Sequence, residues 1–167
     1  MVTVSLNAEL VRRHFEQMWN ERDFSACDDL MAEEYVEHAT APFGTTEPGR
    51  VHGPTAMRQT MKWLLDQFPD VHMRIEMIVA EDDLVAARVR STGTNLGRLN
   101  GRLPPSGKTF DSLQTHWFRV AGDKLAEHWA TRDDLTTMLQ LGVVRPPRLA
   151  TALRQWVSAI RFRRRKH

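Results

Sequence analysis

The chain has 167 residues, 41% hydrophobic and 26% charged, which is ordinary for one soluble globular domain. No apolar run approaches the roughly 20 residues that cross a bilayer, and the N-terminus lacks the basic and apolar regions of a secretory signal, so we expect a cytoplasmic protein. The net charge is +2, but residues 145–167 hold eight of the 23 basic residues and no acid, so the rest is net acidic and offers no basic surface for nucleic acid.

The first half of the chain predicts three helices and one short strand. In order, the elements are a helix over 6–19, a short helix over 24–31, a strand over 34–39, a loop over 41–53 and a helix over 53–68. Asn7 is a plausible N-cap of the first helix, and Pro69 ends the last one. The single cysteine, Cys27, allows no internal disulfide and is expected to be a small packed residue.

The second half predicts a series of strands followed by a short helix. The elements are strands over 71–79 and 84–94, a loop to 107, a hairpin over 109–133 that turns at 121–123, and a helix over 134–141 with Gly142 as its C-cap. In the first of these strands, alternation predicts one apolar face, made of Val71, Met73, Ile75, Met77 and Val79. In the second strand, Arg88 and Arg90 are predicted to lie on the face opposite Val85, Ala87 and Val89.

Helices segregated to one side of a largely antiparallel sheet indicate an α+β domain, here over 1–144. A strongly curved sheet wrapped against the helices would make a cone with an open mouth. Residues 145–167 combine a basic run with apolar residues at helical spacing, which predicts a basic amphipathic helix. That helix could pack on its own domain or on a second copy, or it could contact another partner or an anionic membrane.

The hairpin concentrates side chains that can do acid/base chemistry. Gln114, His116 and Phe118 share one strand face by the two-residue period. A neutral imidazole and an amide can both donate to a developing enolate, as oxyanion-stabilising groups do. The alternative is a hydrogen-bonded polar pair with a structural role.

The segment His116-Trp-Phe-Arg-Val-Ala-Gly-Asp-Lys-Leu-Ala-Glu-His-Trp129, followed by Asp133 and Leu139-Gln-Leu-Gly142, resembles the SnoaL-like family of polyketide and ester cyclases, within the NTF2-like fold. Tyr35-Val-Glu-His38 and His52-Gly53-Pro54 are also similar to that family, so the resemblance covers about residues 6–142. It implies a cone-shaped α+β barrel that pairs as a homodimer through its sheet, an apolar pocket and no cofactor. One fold supports many chemistries, so the reaction is less specified than the fold.

The resemblance also implies a site in which a carboxylate at the end of the last strand does the acid/base work. Gln114 and His116 match the family's Gln-x-His pair, which polarises a carbonyl oxygen. The first acid of the family's His-Trp-Asp-x-x-Asp pattern is replaced by Ala130, and Asp133 matches the second. Asp133 could be the base if apolar neighbours raise its pKa, or it could be the N-cap of the following helix. His128 could replace the missing acid as base.

The remaining site predictions concern the lining of the pocket. The expected substrate-binding residues are Phe15, Trp19, His38, Met61, Trp117, Phe118 and Trp129. His14 is expected to be structural or exposed, and His52 to lie in a loop. Seven histidines raise the possibility of a metal, but none forms a His-x-x-x-His pair or a tight cluster with acids, so no metal site is predicted.

Three functions remain open on the sequence. The first is an enzyme that removes a proton alpha to the carbonyl of a bulky apolar compound and gives an aldol-type cyclisation or an isomerisation, with hydrolysis as a variant on the same scaffold. The second is a non-catalytic ligand-binding protein, which the loss of the acid at Ala130 favours. The third is an adaptor that acts through its basic C-terminal segment.

Overall fold

The computed structural model describes residues 5–39 and 51–145, which form a mixed α+β structure with most helices in the first half and four consecutive strands in the second. The helices are α1 (Leu6–Arg13), a π-helix (His14–Asn20) that continues it, α2 (Ala26–Leu30), α3 (Gly53–Gln67) and α4 (Asp134–Leu141). The strands are β1 (Met31–Glu37), β2 (Val51–His52), β3 (His72–Glu81), β4 (Leu84–Thr94), β5 (Thr109–Ala121) and β6 (Lys124–Arg132).

The six strands form one curved, open sheet in the order β2-β1-β6-β5-β4-β3. Strands β3 to β6 are antiparallel neighbours, as predicted, whereas β1 runs parallel to β6 and carries the short β2 on its other side. The predicted α+β class and NTF2-like architecture are confirmed. The parallel pairing of β1 with β6 brings Glu37 next to His128, in the site described below.

The inner face of the sheet packs against the helices and forms the core. On β4, Val85, Ala87 and Val89 are fully buried, and the arginines between them face outward, as the alternation predicted. The largest buried side chains in the core include Tyr35, Phe15, Phe68, Phe118 and Met18. Full burial of such a side chain contributes about 1.5–3 kcal/mol, so this layer holds the helices on the sheet.

The N-terminal helix differs from the prediction at both ends. Ser5, not Asn7, is the N-cap residue, and the Asn7 amide instead donates to the Asp82 carbonyl oxygen at 2.8 Å. The α-helical pattern then changes at His14 into a π-helix, shown by the Glu21 N–H bond to the Glu16 carbonyl. A helical apolar pattern does not distinguish these two forms, because both bury one face.

Strand β3 contains a bulge that the strict alternation did not anticipate. The register shifts between Ile75 and Met77, so the residues that follow change faces. Met77 and Val79 were predicted to point inward but are 60% and 66% exposed, while Ile78 packs on the core. The prediction failed here because one inserted residue reverses the two-residue period.

The C-terminal part of the described chain follows the prediction closely. Helix α4 ends at Gly142, whose φ of 76° lies in the left-handed region that favours glycine at a C-cap. No helix in residues 5–39 or 51–145 has the length and apolarity that crossing a membrane requires. Most of the loop predicted over 41–53 and the basic helix predicted over 145–167, apart from Arg145, lie outside the described residues.

Candidate functional site

Two histidines from adjacent strands meet on the inner face of the sheet. His128 on β6 lies directly opposite Phe118 on β5, and His116 lies opposite Ala130. Both imidazoles are buried, and their rings stack with centroids 5.1 Å apart. The His116 Nδ1 and His128 Nε2 atoms are 2.9 Å apart, which is a hydrogen bond between the two rings.

A carboxylate from the neighbouring strand accepts a hydrogen bond from the second ring nitrogen of His128. Glu37 is the register partner of His128 in the parallel β1–β6 ladder, and its two oxygens lie 2.8 and 2.7 Å from His128 Nδ1. Tyr35 O–H donates to one Glu37 oxygen at 2.9 Å, and Ala39 N–H donates to the other at 2.8 Å. A carboxylate without a proton of its own satisfies all three donors.

At the other end, His116 Nε2 lies 2.9 Å from Gln114 Oε1. Glu37, His128, His116 and Gln114 therefore form one hydrogen-bonded chain, which we call the relay. The relay is closed at the Glu37 end by Tyr35 and Ala39, and it ends at Gln114, whose side chain is half-buried.

Two arrangements of protons satisfy all the hydrogen bonds of the relay. In one, His128 has protons on both nitrogens and donates to His116 Nδ1, and His116 Nε2–H donates to the Gln114 oxygen. In the other, His128 keeps only Nδ1–H, His116 carries its proton on Nδ1, and the bare His116 Nε2 accepts from the amide of Gln114 after rotation of that amide. The two forms differ by one proton, which enters at His116 Nε2 and ends on His128 beside Glu37.

The electrostatics of the site keep His116 itself neutral. Burial lowers the pKa of His116 well below its usual value, and positive charge on His128 lowers it further. A proton accepted at His116 Nε2 is therefore not stored on that ring. The hydrogen bond to His128 offers that proton a route towards the Glu37 carboxylate.

A third histidine, His14, packs against this pair from the helix side. It was expected to be structural or exposed, and it is buried with its ring 5.0 Å from Phe118 and 6.4 Å from His128, centroid to centroid. Trp19 Nε1–H donates to His14 Nε2 at 3.2 Å. Burial, with a smaller contribution from His128, lowers the pKa of His14 to about 3.

Of the two roles considered for Asp133, catalytic base and helix N-cap, the structure shows the second. It is the N-cap of α4, and its side chain accepts from Thr136 N–H at 3.0 Å. The hydrogen bonds from Thr136 lower the pKa of Asp133, and the side chain is exposed. The raised pKa that a role as base would need is therefore not found, because Asp133 faces water and the helix N-terminus.

Three predicted pocket residues lie on the other face of the sheet. Trp117 and Trp129 are opposite one another on β5 and β6 and alternate with His116 and His128, so they point outward. His38 stacks on Trp129 with ring centroids 4.7 Å apart. These side chains do not share a pocket with His116, because odd and even positions of a strand face opposite ways.

The other predicted lining residues are on the inner side. Trp19, Met61 and Phe118 are buried in the core, and the Phe15 ring lies edge-on to His116 with a centroid separation of 5.1 Å. Phe15 also lines a cleft of about 490 Å³ between the π-helix and β3. The cleft is lined mainly by charged and polar side chains and by none of the relay residues, so it is not the apolar pocket that was predicted.

The described residues contain no group of three or more His, Cys, Asp or Glu side chains arranged to hold a metal ion. The reason is visible in the relay, where the ring nitrogens of His116 and His128 are bonded to one another, to Glu37 and to Gln114. Those nitrogens do not converge on a common point.

Sequence reasoning missed Glu37, Tyr35 and His14. The signal for the first two was present in Tyr35-Val-Glu-His38, where alternation places Tyr35 and Glu37 on one face and His38 on the other. His38 was chosen as the site residue, although the buried Tyr35 identifies the inner face. The position of His14 depends on the π-helix, for which the sequence carried no signal.

Comparison with known proteins identifies the family and agrees with the fold. The sequence model of the SnoaL-like polyketide cyclases matches residues 9–141. No protein in a comparison with curated sequences matched.

Solved structures resemble the chain over most of its length. IdmH from Streptomyces antibioticus, a candidate polyketide cyclase, is 27% identical with a TM-score of 0.71, and the match covers 81% of this chain and 98% of that one. A candidate polyketide cyclase from Acidithiobacillus ferrooxidans is 25% identical with a TM-score of 0.75, covering 87% and 100%. AclR from Streptomyces galilaeus, a candidate hydroxylase, is 22% identical with a TM-score of 0.72, covering 96% of each chain, and supports the fold alone.

Proposed function

Because the chain belongs to the SnoaL-like polyketide cyclase family, we propose that it catalyses an aldol-type ring closure of a bulky, apolar, polyketide-like ketone, with His116 as the base. The observation that carries this proposal is the relay, in which a buried, neutral His116 is connected through His128 to Glu37. A base that passes its proton to a charge-stabilised neighbour can act repeatedly without becoming a buried cation.

The first step is proton removal alpha to the carbonyl. The substrate displaces Gln114 from His116 Nε2, which takes the proton from carbon, while the electron pair of the C–H bond moves into the enolate. His116 passes its Nδ1 proton to His128 Nε2 across 2.9 Å. The freed Gln114 amide donates to the developing enolate oxygen, an interaction that strengthens as charge appears there.

The second step uses the stored proton. The enolate carbon attacks a second carbonyl of the same molecule, a carbon–carbon bond forms, and the oxygen of that carbonyl receives the proton back through His128 and His116. Atoms and charge balance without an oxidant or a co-reactant. Return of the proton to the same carbon would give exchange or isomerisation instead of ring closure.

The relay also bears on the replacement of the family's acid by Ala130. Ala130 lies directly opposite His116 on the inner face, at the position where the family pattern has an acid. In this chain the carboxylate comes from Glu37 on β1 and acts through His128. The loss of the acid at position 130 therefore does not by itself favour a non-catalytic protein.

The test uses 2-tetralone, a two-ring ketone with acidic hydrogens beside its carbonyl, in D₂O. Proton NMR should show that the protein accelerates exchange of those hydrogens over buffer, and that His116→Phe loses about 10²–10⁴-fold of the acceleration, as expected for loss of a general base. Tryptophan fluorescence measures ligand binding in parallel. Binding without accelerated exchange would favour the ligand-binding alternative.

We further infer that the outer face of the sheet binds a second copy of this chain. Val79, Ala86, Trp117 and Trp129 are successive cross-strand neighbours and form an apolar ladder on that face, which we call the outer ladder. Trp117 is 47% exposed. The ion pairs of Arg119 with Asp83 and Glu127 lie beside the ladder, so the patch carries both signs of charge and can complement a second copy of itself across a two-fold axis.

A further inference from the structure

Helix α4 is apolar on two opposite sides, and the residues that the structure describes cover only one of them. On the inner side, Thr137 and Leu141 are buried where the helix packs on β5. On the opposite side, Leu135 and Leu139 are one helical turn apart and are 62% and 39% exposed. A helix that is apolar on more than one side is typical of one that packs against two neighbours.

The chain ends α4 with a tight cap, in which the Val144 N–H bonds to the Met138 carbonyl oxygen at 3.2 Å. After Arg145 the sequence continues with Pro146-Pro147, beyond the described residues. Proline cannot continue a helix but suits the first turn of a new one. Residues 142–147 are therefore a short connection, within the range of about 2–8 residues that joins neighbouring helices in bundles.

The sequence after this connection mirrors the uncovered side of α4. Leu149 and Leu153 have the same four-residue spacing as Leu135 and Leu139. Counted from Val144, Leu139 and Leu149 are each five residues away, and Leu135 and Leu153 are each nine residues away. In a hairpin of two antiparallel helices, residues at equal distances from the turn lie side by side. This spacing therefore matches each exposed leucine of α4 with a leucine of the following segment.

Charge favours the same antiparallel arrangement. Residues 145–167 contain eight basic side chains and no acid. Arg154 comes ten residues after Val144, and Asp134, the first residue of α4, comes ten residues before it. The Asp134 side chain, which pairs with Arg132 at 3.5 Å, is still 38% exposed and can accept a second cation. Because exposed ion pairs add little affinity, this contact sets the direction of the packing more than its strength.

We propose that residues 148–160 form a helix that packs antiparallel on the uncovered side of α4 in the same chain, with Leu149 against Leu139 and Leu153 against Leu135. The same chain is favoured over a second copy, because a short connection holds the segment at an effective concentration of about 1 mM. This inference goes beyond the proposed function and does not depend on it. The basic segment is then a part of the fold and not an arm that binds an anionic membrane.

Hydrogen exchange followed by mass spectrometry tests this packing in the full-length protein. An isolated helix of this length is only marginally stable in water, so slow exchange over residues 149–160 requires a packing partner. In wild type these amides should exchange at least about tenfold more slowly than in Leu139→Glu, which replaces an apolar contact with a charge. Leu103→Glu is the matched control. It changes another exposed leucine, in the loop between β4 and β5, and should exchange like wild type over residues 149–160.

A disulfide identifies the chain that provides the partner helix. Leu139→Cys combined with Leu149→Cys should form a disulfide within one chain under mild oxidation, and a non-reducing gel separates this product from two chains joined together. The native Cys27 is buried, and burial raises its pKa to about 11, so it stays unreactive. Leu103→Cys combined with Leu149→Cys is the control and should not form a disulfide.

Three results would overturn the inference: fast exchange over residues 149–160 in wild type, equal exchange in wild type and Leu139→Glu, or a disulfide that joins two chains. Slow exchange that appears only after addition of phosphatidylserine vesicles would also overturn it, and would identify an anionic membrane as the partner of the segment.

Discussion

The Nδ1 atom of His128 lies 2.7 and 2.8 Å from the two carboxylate oxygens of Glu37, across two parallel strands that are 91 residues apart in sequence. This contact orients the His128 ring, and His128 in turn orients His116. The carboxylate that holds His128 therefore comes from the first strand along the chain, and it is connected to His116 only through that imidazole. The same contact leads to a direct prediction for Glu37.

Glu37→Gln should lower the rate of 2-tetralone exchange by about 10²-fold or more, because His128 loses the charge that stabilises its second proton. Binding of the ketone should change little, so the loss should lie in the rate at saturation. The matched control is Glu127→Gln, since Glu127 accepts from His38 at 2.8 Å on the outer face much as Glu37 accepts from His128. Equal effects of the two substitutions would contradict a relay through Glu37.

Stability should fall as the pH is lowered, because burial keeps His14 and His116 neutral in the folded state. The pKa of His14 is about 3 when folded and about 6.5 when unfolded. Between these values the unfolded chain binds one more proton at His14, so stability is complete above about pH 6.5 and falls by about 1.4 kcal/mol per pH unit below it. Burial lowers the pKa of His116 in the same direction, and that residue adds a similar slope.

Urea unfolding at several pH values between 7 and 4 measures this slope. His14→Leu should reduce it by about one proton, or about 1.4 kcal/mol per pH unit. His72→Leu replaces an exposed histidine on β3 and should leave the slope unchanged. An unaltered slope in His14→Leu would show that His14 titrates normally in the folded protein.

Asp133→Ala should lower the melting temperature by a few degrees, because the N-cap bond to Thr136 N–H is lost. Asp133→Asn should restore it, since asparagine caps as well as aspartate does. Thermal unfolding followed by circular dichroism provides the measurement. If Asp133→Ala melts like wild type, the capping role assigned to this residue is wrong.

Trp117→Glu should convert a dimer into a monomer, because it places a charge in the centre of the outer ladder. Light scattering after gel filtration should give twice the 19.3 kDa chain mass for wild type and the single chain mass for the variant. Leu135→Glu changes another exposed apolar residue, on α4, and should remain dimeric. A monomeric wild-type protein, or a dimeric Trp117→Glu, would overturn the proposed interface.

Most of the fold could be predicted because the residues that specify each helix or strand lie within that element. The alternation in β4 and the helix end at Gly142 both follow from residues within one element, and both are confirmed. The errors arose where one residue changed the local geometry. The bulge between Ile75 and Met77 turned an apolar face outward, and the helix predicted over 6–19 becomes a π-helix at His14.

Only the site residues that lie within one hairpin were predicted from the sequence. Gln114, His116 and His128 lie on β5 and β6, and the sequence reasoning selected all three. Glu37 was missed because its approach to His128 depends on the parallel pairing of β1 with β6, which no local pattern specifies. Asp133 was considered as a base because it matches the second acid of the family pattern, whereas its side chain caps the N-terminus of α4.

The choice between His116 and Asp133 as the base is the most direct test of this account. The rate of deuterium incorporation into 2-tetralone should be measured for wild type, His116→Phe and Asp133→Asn, all confirmed as folded. We predict that Asp133→Asn exchanges like wild type and that His116→Phe falls to the rate in buffer. Full activity in His116→Phe together with loss of activity in Asp133→Asn would contradict the account.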